Sequence, residues 1–272
     1  MKNKLLLLGI ALTIVMLTAS SALASDPMGP PTAGLSKGEW RTGIEYAYTK
    51  MDIDADGIPE LGLVACTVKN VDVQKGFLNI GTGLSDNWEI FLRLGGANAK
   101  PDKDDNVNNV AGYIGSGSSI SAGGGMKATL FKSNNGKIKW GTLAQFSWTE
   151  FDFGKEEYTI NGHNVSISSD ASLIEAQIVF GPTIEVIQGF SVYCGPFFRI
   201  LEGDFDFTGT VDGASKDFST DLEEDSAWGG YIGAQLDVEP TGDQITEGCV
   251  VFCEGQFTGD GWGVRTGIGL KF

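Results

Sequence analysis

Few residues in this chain are equipped for acid–base or nucleophilic chemistry. The single histidine, His163, stands in Asn161-Gly162-His163-Asn164, and the nearest acids in sequence are Glu157 and Asp170. A hydrolytic centre needs a histidine held against a carboxylate, or against a serine or water that it activates. A histidine isolated between Gly and Asn reads as a solvated loop residue, so no catalytic residue is assigned. One histidine also excludes a metal site built from several imidazoles. Asp52-Ile53-Asp54-Ala55-Asp56-Gly57 opens like a calcium loop, because alternate carboxylates converge on one hard cation and Gly permits the sharp turn. Leu63 stands where a bidentate Glu would close such a loop, so the helix–loop–helix form fails. Two readings remain for Asp52, Asp54 and Asp56: a solvated acidic turn, or a weak Ca2+ site in an extracellular loop. The four cysteines, at 66, 194, 249 and 253, lack the ligand spacing of a zinc site. No other cofactor is assigned.

Composition narrows the partners. Lys and Arg total 19 against 35 Asp and Glu, a net charge of −16. Phosphate recognition needs a basic surface, so nucleic acid is excluded as the main partner. With 42% hydrophobic and 20% charged residues the chain is not a disordered acidic tail. Its 39 glycines follow no G-X-Y period, which excludes collagen. Lys2 and Lys4 precede the apolar run Leu5 to Leu17, and Ala22-Leu23-Ala24 follows. A charged region, a hydrophobic region and a small-residue cleavage site mark residues 1–24 as a signal peptide. The apolar run falls short of the roughly 20 residues that a membrane-spanning helix needs.

After that signal the dominant pattern is period two. In Trp40 to Tyr48 one face carries Trp, Thr, Ile, Tyr and Tyr, and the other Arg, Gly, Glu and Ala. Trp88 to Leu94 and Lys139 to Trp148 repeat the pattern. Such alternation specifies strands with two unlike faces. Ten segments qualify: 39–51, 70–84, 87–98, 117–132, 137–152, 171–187, 189–205, 225–239, 247–258 and 260–272. The connections alternate between long polar stretches (52–69, 99–116, 153–170, 206–224) and short turns. Long loops at one rim and tight turns at the other predict a ten-stranded antiparallel transmembrane β-barrel, with long extracellular loops and short periplasmic turns. Residues 25–38 are expected as a periplasmic N-terminal segment, and 39–272 as the barrel.

All six tryptophans fall on the apolar face. Trp40, Trp88 and Trp140 lie by the short-turn rim, and Trp148, Trp228 and Trp262 by the long-loop rim. Trp140 and Trp148 are eight residues apart, about 20 Å along the axis at roughly 3.3 Å per residue and roughly 40° tilt. Indole favours the membrane–water interface, so these six predict two aromatic girdles. The chain ends Trp262-Gly-Val264-Arg-Thr266-Gly-Ile268-Gly-Leu270-Lys-Phe272. This resembles the last strand of bacterial outer-membrane β-barrel proteins, with Phe272, Leu270 and Ile268 as the assembly signal and Thr266 a mild departure. The resemblance implies delivery to the barrel-assembly machinery and residence in a Gram-negative-type outer membrane. Lipid and lipopolysaccharide become the expected partners.

The opposite parity lines the lumen. It carries Arg41, Glu45, Glu89, Arg93, Lys127, Glu175, Arg199, Glu254 and Arg265, with many glycines between them. Mixed charges in a narrow lumen are expected to pair, because an unpaired ion there is costly. A ten-stranded barrel is only slightly wider than the eight-stranded kind, which its own side chains fill. The expected role is therefore non-enzymatic: a structural or surface-interaction barrel with a largely side-chain-filled lumen. The alternatives are a narrow porin-like passive channel for small solutes and, behind it, a hydrolase at the rim.

Overall fold

The period-two pattern builds eleven strands. They are β1 (Trp40–Ala55), β2 (Cys66–Ser85), β3 (Trp88–Lys100), β4 (Gly117–Lys132), β5 (Ile138–Ile160), β6 (His163–Ile187), β7 (Phe190–Val211), β8 (Ala214–Glu223), β9 (Trp228–Val238), β10 (Cys249–Thr258) and β11 (Gly261–Lys271). This computed structural model describes residues 26–55, 66–100, 117–160, 163–211, 214–223, 228–238, 248–259 and 261–272. Neighbouring strands pair antiparallel in chain order, except that β7 pairs with both β8 and β9. β11 then pairs with β1 from Arg41↔Lys271 to Met51↔Gly261, which closes the cylinder. Backbone bonds between Trp40 and Phe272, at 2.8 and 3.0 Å, finish the seam. The wall therefore has ten strands, as the alternation predicts, and closes on itself through the β1–β11 seam.

β8 is the addition. The inner half of β7, Phe190 to Phe198, pairs with β9, while its outer half, Glu202 to Val211, pairs with β8. β8 touches β1 at Asp54↔Glu223 and Ala55↔Leu222, adding a rim to the outer end. Residues 153–170 and 206–224, expected as loops, are largely strand instead. β5 runs to Ile160 and β6 begins at His163, so the candidate histidine opens a strand. Beyond the membrane both faces meet water, so the apolar–polar alternation fades while the hydrogen-bond ladder continues. About ten residues cross an apolar band of about 25 Å. The rest of the 23-residue β5 rises about 30 Å above that band.

The outward face is apolar. Ile44, Leu78, Leu92, Leu94, Ile120 and Phe146 are each at least 60% exposed. A water-soluble monomer does not display a continuous apolar belt of this extent, whereas a barrel wall meeting lipid requires one.

A second departure concerns the N-terminal segment. Of residues 26–38, expected in the periplasm, 26–35 lie inside the barrel and 36–38 at its short-turn rim. Gly38 donates to the Gly83 carbonyl at 2.9 Å and Gly83 donates to the Glu39 carbonyl at 3.0 Å, which roots the segment at the short-turn rim. From there it runs inward until Asp26 is only 2% exposed. The segment carries Pro27, Pro30, Pro31 and the left-handed Gly29 (φ 61°), so it joins no ladder.

Candidate functional site

The lumen is stacked in layers. Along β5 the inward side chains run Leu143, Gln145, Ser147, Thr149, Phe151. Along β6 they run Val179, Gln177, Glu175, Leu173. Each strand thus passes from apolar to polar to apolar. The inner apolar layer packs Met28 of the segment with Phe91, Leu143, Val179, Tyr193, Phe197 and Tyr231. The outer one joins Val73, Ala97, Phe151, Ala171, Leu173 and Leu201, with Phe153, Phe205 and Leu222 packed on it. A polar belt lies between them.

The segment is held largely by carboxylates of the wall that accept its amides. Glu254 accepts from Met28 N and Gly29 N, each at 2.9 Å. Glu89 accepts from Gly34 N at 2.9 Å, and Glu175 from Asp26 N at 3.1 Å. These bonds satisfy amides that no ladder reaches, and charged acceptors make them stronger than neutral ones. Asp26 returns the charge: its carboxylate accepts from Lys75 Nζ at 2.7 Å and lies 3.6 Å from Arg93 Nη1. Arg93 also donates to the Pro27 carbonyl at 2.7 Å. Thr32 and Thr183 hydroxyls meet at 3.0 Å, and Ala33 N donates to the Thr129 hydroxyl at 3.1 Å.

The expected lumen residues all point inward. Glu89, Arg93, Lys127, Glu175, Arg199, Glu254 and Arg265 are buried, and Arg41 and Glu45 half-buried. Several pair as a narrow lumen demands: Arg41 with Glu89, Lys75 with Glu175 at 3.0 Å, and Arg93 with Glu45 at 3.4 Å. Arg265 departs from this rule. It stands directly opposite Glu254 across the β10–β11 ladder, yet its Nε, Nη1 and Nη2 have no hydrogen-bond partner. The Glu254 oxygens are instead engaged by Met28 N, Gly29 N, Gln256 at 3.1 Å and Tyr193 at 3.2 Å.

The wall is also unbalanced. Arg41, Lys75, Arg93, Lys127, Arg199 and Arg265 face Glu45, Glu89, Glu175 and Glu254, and nearer the short-turn rim Lys139 and Lys271 face Glu185 and Asp237, eight charges against six. Asp26 raises the anions to seven and leaves one cation in excess. A cavity of about 20 Å³ lies beside Met28, Gly29, Arg41, Asn79 and Lys127. That is room for about one water and not for a solute. The segment's contacts, and the Gln145–Gln177 bond at 2.7 Å, were not legible in the alternation. The inward parity of Gln145, Gln177 and Gln256 was the one signal available for the latter.

The other predicted residues occupy the expected faces. Trp40, Trp88, Trp140, Trp148 and Trp228 are exposed on the outer wall, and Trp262 lies on the same parity beside Tyr48, ring centroids 5.6 Å apart. Ile268, Leu270 and Phe272 are exposed on that face at the β11 terminus. Cys194, Cys249 and Cys253 are free thiols on the outward parity. Asp52 and Asp54, expected in a loop, lie on strand β1 instead, because the ladder with β2 continues through Ala55↔Cys66, and Asp56 falls outside the described residues, as does the expected signal peptide at 1–24.

No family model and no curated protein matches the chain. Solved structures do resemble it. OprG from Pseudomonas aeruginosa shares 10% identity over 88% of this chain and 98% of its own, with a TM-score of 0.42. The translocator domain of the autotransporter NalP from Neisseria meningitidis shares 12% over 98% and 95%, at 0.44. The outer-membrane protein AlkL shares 10% over 92% and 97%, also at 0.44. The closed ten-stranded wall and the apolar exterior, taken on this chain's own geometry, make it an outer-membrane-type β-barrel.

Proposed function

We propose that this barrel is held shut at rest by its own N-terminal segment and serves the cell envelope as a structural or surface-interaction protein. The observation that carries this reading is the seating of residues 26–38 on Glu89, Glu175 and Glu254, between two apolar layers. The part that meets the outside is the extended rim of β5–β8. Its outward face is acidic, with Asp152, Asp170 and Asp206 in register on three adjacent strands. Lipid surrounds the wall, and lipopolysaccharide is the anionic surface this rim faces. The test is conductance of the refolded protein in planar bilayers. No sustained conductance is expected, and large, sustained, reproducible steps would overturn the reading. A narrow passive channel is the second reading, favoured by one observation: the Arg265 guanidinium, fully buried and without a hydrogen-bond partner.

A further inference from the structure

The pairing of Glu254 offers two exclusive arrangements. Residues directly opposite in an antiparallel ladder have Cβ atoms about 5 Å apart, so Glu254 and Arg265 are placed to form an ion pair. They form none, because Met28 N and Gly29 N occupy the two carboxylate oxygens at 2.9 Å. The segment thereby leaves the three Arg265 nitrogens without a partner in a fully buried position. That arrangement carries a standing desolvation cost, which withdrawal of the segment relieves. The segment itself is tethered through backbone bonds at the rim, polar contacts in the belt and the packing of Met28 into the inner apolar layer, with no ladder to hold it.

We infer that the segment is an exchangeable occupant of a lumen that selects small anions. In the seated state the amides of Met28 and Gly29 hold Glu254. In the withdrawn state Glu254 pairs with Arg265, and Lys75 loses Asp26 as a partner. The wall then keeps two more cationic than anionic groups, a potential that favours anions over cations, and an ion crosses when the side chains of the outer apolar layer part as well. Asp26 sits on Lys75 and Arg93 as an internal stand-in for the carboxylate or halide that would pass. This inference goes beyond the resting closure proposed above and does not replace it.

The test uses the full chain with Thr32→Cys and Thr183→Cys together. Their hydroxyl oxygens are 3.0 Å apart, so the paired thiols can form a disulfide that fixes the segment to β6. Currents are recorded in planar bilayers under a KCl gradient, with and without reductant. Brief openings that reverse near the chloride potential are expected in the unmodified chain, absent from the oxidised double variant and restored by reduction. Asp26→Asn, which removes the segment's own ion pair with Lys75, should raise their frequency about tenfold or more. Silence of the unmodified chain, the reduced double variant and Asp26→Asn alike would overturn the inference and leave the closed-barrel reading intact. Cation-selective openings would overturn it as well. Sustained conductance untouched by the disulfide would overturn both.

Discussion

Gly83→Ala tests the seating of the segment without touching the wall. A Cβ at Gly83 would lie 2.0 Å from the Ser36 carbonyl oxygen, 2.7 Å from the Ser36 carbonyl carbon and 3.0 Å from the Leu35 oxygen. All three atoms belong to the segment. An ordinary carbon–oxygen contact is about 3.3 Å, so the root of the segment must retreat by more than about 1 Å. That movement breaks the Gly38–Gly83 and Gly83–Glu39 backbone bonds at 2.9 and 3.0 Å. Two lost bonds and the overpacking together cost about 2 to 6 kcal/mol. The lower figure alone raises the unseated fraction about thirtyfold. The assay is amide hydrogen exchange of the barrel refolded in detergent. Protection of Met28, Gly29 and Gly34 should fall by that factor, while the β1 amides from Arg41 to Met51 stay protected. Gly76→Ala, where a Cβ meets nothing within 4 Å, should change neither set. Unchanged protection of the segment in a folded Gly83→Ala barrel would refute the seating described here.

Three further outcomes follow from the same geometry. Glu254→Gln removes a charged acceptor of two segment amides and should cost about 2 to 4 kcal/mol. Arg265→Met, which deletes a guanidinium with no hydrogen-bond partner, should be neutral or stabilising. Urea midpoints in lipid vesicles decide the order, and the reverse order contradicts the pairing. Asp170 faces Asp152 on β5 and Asp206 on β7, and each directly opposed like charge costs about 0.2 to 1 kcal/mol. Asp170→Asn should therefore raise the melting temperature by about 1 to 4 °C at low ionic strength, a gain that added salt shrinks. Single-tryptophan proteins retaining Trp140 or Trp148 should be quenched more by a shallow lipid-borne quencher than by one at mid-bilayer. Deep quenching would remove the girdles.

The wall was legible because a lipid-facing strand must alternate. Trp40 to Tyr48, Trp88 to Leu94 and Lys139 to Trp148 each separate lipid from lumen residue by residue, and the strands follow those runs closely. Parity likewise assigned Glu89, Arg93, Glu175 and Arg265 inward. Two parts left no such signal. Past the membrane, where Lys155 and Glu157 are exposed, the run of charged residues carries no apolar–polar alternation to distinguish a continuing strand from a loop. Residues 26–38 carry three prolines and join no ladder, so their position depends on single long-range contacts such as Asp26 with Lys75 and Gly34 with Glu89. Period and propensity do not encode contacts of that kind. The Arg265 anomaly belongs with them: its natural partner across the ladder was taken by a segment whose path the alternation could not trace.

The most direct measurement is the Asp26–Lys75 contact in lipid bilayers. With ¹³C at the Asp26 carboxyl and ¹⁵N at Lys75 Nζ, solid-state dipolar recoupling reads the separation of the two nuclei. An oxygen–nitrogen distance of 2.7 Å places them within about 4 Å, and strong dephasing is the predicted result. Absence of dephasing in a folded, bilayer-embedded barrel would put the segment outside the lumen and contradict the account.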